Sequence, residues 1–302
     1  MDILRKLLVV CISMAFAIPL AAAPNTSRSR AGLSAAEIVN KNVAARGGLE
    51  AWRAVQALSL QGKMGAGGNQ RAALAAPMPD PKADRRQALV PQRPTEEVQL
   101  PFLLELKRPR KQRLELQVKG QTAIQVFDGT NGWKLRPFLN RIEVEPFTAE
   151  ELRRASMQTE LDGPLVDYAA KGTHVELDGA EKVEGRDTYK LKVTEKTGHT
   201  FHVWIDATTF LEAKIEGQPR RLDGTNHPVE VYYRDYRTVD GLQFPFVLET
   251  RVLPVGKNVL GMRDTPVPPE TIVIEKVVVN PKVEEKLFSK IDFPAAAVAK
   301  GK

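Results

Sequence analysis

The sequence predicts an α+β fold in which one large, curved antiparallel sheet carries a few helices. Three observations lead there. From Val98 onward apolar side chains recur at a period close to two, as in strands with one buried face. The gaps between these runs are turn-sized and hold Asp-Gly and Asn-Gly pairs, which suit consecutive antiparallel hairpins. Sequence with helical periodicity is scarce. Composition agrees: 302 residues, 42% apolar and 27% charged, supply a core and exclude a wholly disordered chain. One cysteine, Cys11, excludes a disulfide scaffold, a cysteine zinc site and an iron–sulfur cluster. A net charge of +7 attracts anionic surfaces without selecting a partner.

Residues 1–23 read as a cleaved secretory signal. Arg5 and Lys6 precede an apolar stretch, Leu7 to Leu20, and then Ala21-Ala22-Ala23. The stretch is short for a membrane span. Reading Leu8-Val9-Val10-Cys11 as a lipoprotein cleavage box leaves too little apolar sequence before the cysteine. The expectation is a periplasmic protein, soluble after cleavage, with a flexible lead at 24–32 and a single domain over 33–302.

The first helix opens at Leu33-Ser34-Ala35-Ala36-Glu37, where Ser34 and Glu37 form a capping box. It runs to Arg46 and stops at Gly47-Gly48. A short second helix, Leu49–Val55, carries Trp52. Leu58, Leu60 and Met64 then mark a strand. Residues 65–94, with Gly65, Gly67, Gly68 and five prolines, keep neither period and read as a disordered insertion. Strands follow at Val98–Leu106, Leu114–Val118 and Ile124–Val126, and a turn at Asp128–Gly132 leads to Trp133 and Leu135. Thr148 and Glu151 form a second capping box for a helix near Ala149, and Pro164–Ala170 suggests a further helical turn. Alternation resumes at Tyr189–Val193, Phe201–Ile205, Ala213–Ile215, Val229–Tyr233, Phe244–Leu248 and Ile272–Ile274. About ten to twelve strands result by this alternation test.

One face of these strands is apolar nearly throughout, and such a face must be covered. With little helix available, the sheet either closes on itself or curves around a partly filled groove. A groove lined with Val, Ile, Leu and Phe suits an acyl chain, because each buried methylene contributes about 0.8 kcal/mol. The competing reading is that these residues pack only on one another. Candidates for a cavity wall are Leu104, Leu114 and Leu116, then Val126 and Trp133, then Leu191, Val193 and Val203, then Ile215, Val231, Tyr233, Phe246 and Leu248.

Several motifs resemble those of the LolA/LolB-like periplasmic lipoprotein carriers, the outer-membrane lipoprotein-sorting proteins. They are Ala36–Val39 with Arg46–Trp52, Phe127–Trp133, Val183–Leu191, Trp204–Leu211 and Asp240–Phe246. The resemblance covers most of the chain after the signal, apart from 65–94. It implies an unclosed antiparallel barrel whose concave apolar face is covered by helices. It further implies a non-catalytic carrier of acylated lipoprotein or lipid, working with membrane-bound donor and acceptor proteins. An envelope sensor or protein-binding scaffold of the same fold is the alternative.

The polar residues add little chemistry. Lys107, Arg108, Arg110, Lys111 and Arg113 form a basic cluster at a strand connection, read either as a contact for anionic headgroups or an acidic partner, or as a charged hairpin tip. No aromatic platform interleaves with them, so nucleic acid is not expected. His199 and His202 fall on opposite faces of a strand, a poor arrangement for joint metal binding, and all four histidines read as solvated. Glu150-Glu151 and Glu284-Glu285 read as solvated surface. No Gly-x-Ser-x-Gly or His-Glu-x-x-His occurs, and no metal, cofactor or catalytic residue is assigned.

Overall fold

The structure, a computed structural model, describes residues 32–66, 97–139, 141–158, 161–222, 225–256 and 267–292. The signal segment lies outside the described residues.

The N-terminal helices form where the capping chemistry puts them. In α1 (Ala35–Ala45) the Ser34 hydroxyl accepts from the Glu37 N–H at 3.3 Å, and the Glu37 carboxylate accepts from the Ser34 N–H at 2.7 Å. Gly47, at φ 116°, ends the helix. A β-carbon there would come within 2.5 Å of the Gly241 carbonyl oxygen, so the turn requires glycine. The short α2 (Leu49–Ala54) follows and buries Trp52.

Thirteen strands among the described residues make one antiparallel sheet: β1 (Ala57–Ala66), β2 (Val98–Lys107), β3 (Lys111–Val118), β4 (Gln121–Phe127), β5 (Gly132–Arg136), β6 (Arg141–Pro146), β7 (His174–Val183), β8 (Arg186–Thr194), β9 (Thr200–Asp206), β10 (Glu212–Leu222), β11 (Thr225–Val239), β12 (Leu242–Val252) and β13 (Glu270–Val279). Their order is β6-β5-β4-β3-β2-β1-β13-β12-β11-β10-β9-β8-β7. Two meanders are therefore stitched together where β1 meets β13, with Leu60 opposite Val277 and Met64 opposite Ile272.

The sheet's two edges, β6 and β7, are successive in sequence yet do not pair, so the sheet does not close into a barrel. Residues 147–173 join them. This connection holds α3 (Ala149–Gln158) and a run of turns over 161–172. Leu165 and Val166 from those turns are fully buried and pack with Ile38, Val39 and Trp52 in the main core. The α3 capping box forms as the sequence predicts, the Thr148 N–H reaching the Glu151 carboxylate at 2.7 Å and the Glu151 N–H reaching the Thr148 hydroxyl at 3.2 Å.

The strand count exceeds the sequence expectation because β6 and β7 carry weak alternation. β6 is six residues with only two apolar side chains. β7 alternates through Val175 and Leu177 but loses register at a bulge between Leu177 and Gly179, which hides its period. β1 runs to Ala66, two residues into the segment read as an insertion; residues 67–94 of that segment lie outside the described residues.

Candidate functional site

Register fixes which side chains share the concave face. Leu114 lies opposite Leu104, Leu104 opposite Leu60, Met64 opposite Ile272, Ile272 opposite Leu248, Leu248 opposite Tyr233, and Val231 opposite Ile215. Residues paired across antiparallel strands point the same way, so an apolar band crosses the sheet from β3 to β10. Its members are half-buried rather than sealed.

Between Arg46, Trp52 of α2 and the turn residues Leu161, Gly163 and Pro164, the band deepens into a cavity of about 210 Å³. Its apolar wall includes Trp52, Leu58, Leu60, Leu106, Val203, Ile215 and Phe244, with Tyr233 and Tyr236 beside them. One ion pair interrupts this wall. The Arg46 guanidinium lies 3.4 Å from the Glu212 carboxylate, with 11% of each side chain exposed. It also stacks 4.4 Å over the Trp52 ring and donates to the Asp162 carbonyl oxygen at 2.9 Å. The Tyr236 hydroxyl donates to Glu212 at 3.1 Å. Burial pushes the Tyr233 hydroxyl well above the usual tyrosine range; the Glu212 charge adds to this and Arg46 opposes it. Tyr236 is raised for the same reasons. Both phenols stay neutral at neutral pH.

The thirteen wall candidates separate. Val203, Ile215 and Tyr233 line the cavity itself. Leu104, Leu114, Leu116 and Leu248 pack at the border of the core, while Leu191, Val193 and Phe246 are buried within it. Val231 is half-buried on β11, opposite Ile215. Val126 and Trp133 stand apart. They pair with each other and belong to a separate cluster with Leu135 and Ile291. The register explains this: Val126 sits opposite Arg113, whereas Leu114 on the concave side sits opposite Gln125. The apolar face thus switches sides between β3 and β4. On the polar concave side of β5, Lys134 is buried and bridged by Glu151 of α3 at 2.6 Å. Burial raises the Glu151 carboxyl, but Lys134 and the Thr148 cap outweigh it and hold it below the usual value.

The basic cluster is engaged within the protein. Arg108 bridges Asp162 at 2.7 Å and donates to the Val55 carbonyl oxygen at 2.8 Å. Lys107 and Lys111 both bridge Glu285, Arg113 bridges Glu115 at 2.7 Å, and Arg110 donates to the Ser156 carbonyl oxygen. Glu151 is therefore a structural partner of the buried Lys134, whereas Glu285 stays on the exposed surface while pairing with Lys107 and Lys111.

On the convex face, Trp204 is 4% exposed and clusters with Val183, Ala213 and Tyr232. Lys214 lies 4.0 Å from its ring centre and Lys190 5.6 Å. Lys214 also bridges Glu230 at 2.6 Å, and Glu230 accepts from the Tyr232 hydroxyl at 2.7 Å. Among the histidines, His202 is flanked by Glu216 at 2.9 Å and Asp178 at 3.3 Å. His227 is a correction to the sequence reading: it is 1% exposed, with Nδ1 3.1 Å from the Leu253 carbonyl oxygen. Among the described residues no group of three or more His, Cys, Asp or Glu is placed to hold a metal, and no helix is long and apolar enough to cross a membrane.

No family model matches the chain, and no curated protein matches its sequence. Solved structures do resemble it. A LolA superfamily protein from Nitrosomonas europaea is 12% identical over 85% of this chain and 98% of its own, with a TM-score of 0.48. A DUF1329 family protein from Desulfovibrio piger is 12% identical over 84% and 97%, with a TM-score of 0.49. A domain described as an outer membrane lipoprotein-sorting protein from Vibrio parahaemolyticus is 13% identical over 84% and 95%, with a TM-score of 0.47. The chain is thus similar to solved structures described as LolA superfamily, DUF1329 and lipoprotein-sorting proteins, each at 12–13% identity.

Proposed function

We propose that this protein is a non-catalytic carrier that shelters acyl chains of lipoproteins or lipids, acting in the periplasm after export. The observation that carries this is the half-buried apolar band on the concave face, opening into a cavity of about 210 Å³ beside Trp52 and the turn at Leu161 to Pro164. Burying even six methylenes there would contribute about 5 kcal/mol, enough to offset much of the cost of association. The cavity wall is apolar, its two phenols are neutral and its one buried ion pair is internally satisfied, so it favours chain burial over chemistry.

Native mass spectrometry of the protein purified from a periplasmic extract, followed by lipid extraction, tests the reading. A bound lipid or acylated peptide supports it. A clean unliganded mass with no uptake of added lipid or lipopeptide overturns it. The second reading, a protein-binding scaffold, is favoured by one feature: β7 is a ten-residue strand at the end of the sheet, a place where a partner strand can add. Crosslinking at β7 tests that reading.

A further inference from the structure

β10 starts late, and this leaves a gap in the wall. Its first partner on β11 is Tyr232, opposite Lys214. Residues 233–239 of β11 therefore have no β10 partner, although they stay paired with β12 out to Val239. Asp235 stands here at φ 52°, between Arg234, which pairs with Val247, and Tyr236, which pairs with Pro245, with the β11–β12 register unchanged on either side. Beside it lies a cleft of about 420 Å³, bounded by Arg186, Asp206, Thr209, Leu211, Arg234 and Asp235. Glu212, Tyr233 and Tyr236 line both this cleft and the apolar cavity. The cleft is thus a polar side chamber whose inner wall is also a wall of the cavity.

The charges of the chamber are matched internally. Glu184 holds Arg234 at 2.6 Å and Arg251 at 2.9 Å. Asp206 holds Arg186 at 3.2 Å, Glu212 holds Arg46 at 3.4 Å, and Asp235 holds Arg237 at 2.5 Å. An anionic headgroup would have to compete for guanidiniums already engaged. A zwitterionic headgroup can set its phosphate against the outer guanidinium N–H groups and its cation against the neighbouring carboxylates, so it adds no net charge to a chamber whose own charges are matched. The cavity, at about 210 Å³, is below the usual range of about 300–1,000 Å³ for small-molecule sites. That size favours one acyl chain over two.

We propose that the side chamber receives the headgroup of a single-chain amphiphile without net charge, of the zwitterionic lysophospholipid class, whose acyl chain lies in the adjoining cavity. This rests on the carrier reading and adds the route and the headgroup chemistry.

The test is thiol protection. In a Cys11→Ser background the sequence has no other thiol. Thr209→Cys places one at the chamber, and Thr250→Cys places one on β12 opposite Val231, outside the lining of both the chamber and the cavity. Should Thr209→Cys fail to fold, Leu211→Cys reports on the same chamber. Lysophosphatidylcholine is added below its micelle threshold, and the bound lipid is counted by native mass spectrometry. At ten times the dissociation constant, Thr209→Cys labelling should slow about tenfold, because only the unliganded fraction reacts freely. Thr250→Cys should change less than about twofold, and oleate should protect more weakly than lysophosphatidylcholine. Lipid bound with Thr209→Cys unprotected, or protection confined to Thr250→Cys, overturns the side route while leaving the carrier reading standing. Equal protection by oleate overturns the assignment of headgroup charge. No binding of either lipid overturns both the carrier reading and this inference.

Discussion

The Arg46 guanidinium lies 4.4 Å over the Trp52 ring, and the Trp52 indole N–H donates back to the Arg46 carbonyl oxygen at 3.1 Å. The same guanidinium faces Glu212 across the cavity at 3.4 Å. One side chain therefore ties the α1–α2 corner to the start of β10. Arg46→Ala would strand a buried Glu212 carboxylate and should cost about 2–4 kcal/mol. Adding Glu212→Gln should recover part of that loss. Chemical denaturation of both variants and of the single Glu212→Gln completes the cycle; strict additivity would contradict a direct coupling.

Arg108 is the structural member of the basic cluster. Asp162 is 2% exposed and is held by Arg108 at 2.7 Å and Lys171 at 2.6 Å. Arg108→Ala should destabilise by about 2 kcal/mol, since the buried carboxylate loses one of its two cations. Lys107→Ala and Lys111→Ala share the exposed Glu285 and should each cost under about 1 kcal/mol. Thermal melts of the three variants separate these roles. Equal, negligible losses would return Arg108 to the surface.

Acid should unfold the protein partly through Glu184. Arg234 hydrogen-bonds this carboxylate and lowers its pKa; burial opposes and Arg251 assists, and the result is about 2 against an ordinary 4.5. A depressed folded pKa means that the stabilisation is complete above 4.5 and is lost as pH falls from 4.5 toward 2. Glu184→Gln should lower stability at pH 7 by about 1 kcal/mol and flatten the decline between pH 4.5 and 2. Urea midpoints against pH read both effects; an unchanged acid slope would count against the assignment.

Ile215→Trp should fill the cavity that Ile215 lines. Overpacking costs about 1–3 kcal/mol, so the fold should survive while acyl-chain uptake falls. Uptake of a fluorescent fatty acid by a variant that still melts cooperatively is the readout. Undiminished uptake would move the ligand elsewhere on the sheet.

Much of the fold is legible because it is local. Ser34 and Glu37, Thr148 and Glu151, and the Asp128-Gly129 turn each announce themselves within a few residues, and each forms. The face of a strand is less legible. Val126 and Trp133 alternate as regularly as Leu114 and Leu116, yet they lie on the opposite side of the sheet, because periodicity gives a parity and not its direction. The partners of Arg46 and Arg108 are invisible in sequence for another reason: Glu212 is 166 residues away from Arg46, and Asp162 is 54 from Arg108. Trp204 shows the limit of hydropathy. It is buried in a cluster with Val183, Ala213 and Tyr232, and the ammonium groups of Lys214 and Lys190 lie over its ring.

The three tryptophans offer the most direct measurement of the central claim. Trp52 lines the cavity, whereas Trp133 and Trp204 belong to separate clusters away from it. Brominated acyl chains quench indole fluorescence at contact distance, so single-tryptophan variants that retain Trp52, Trp133 or Trp204 can each be titrated with a brominated lipid. The carrier account predicts saturable quenching of Trp52 and little change at the other two. Quenching of Trp133 or Trp204 with Trp52 unaffected would contradict it, and so would no quenching at any of the three.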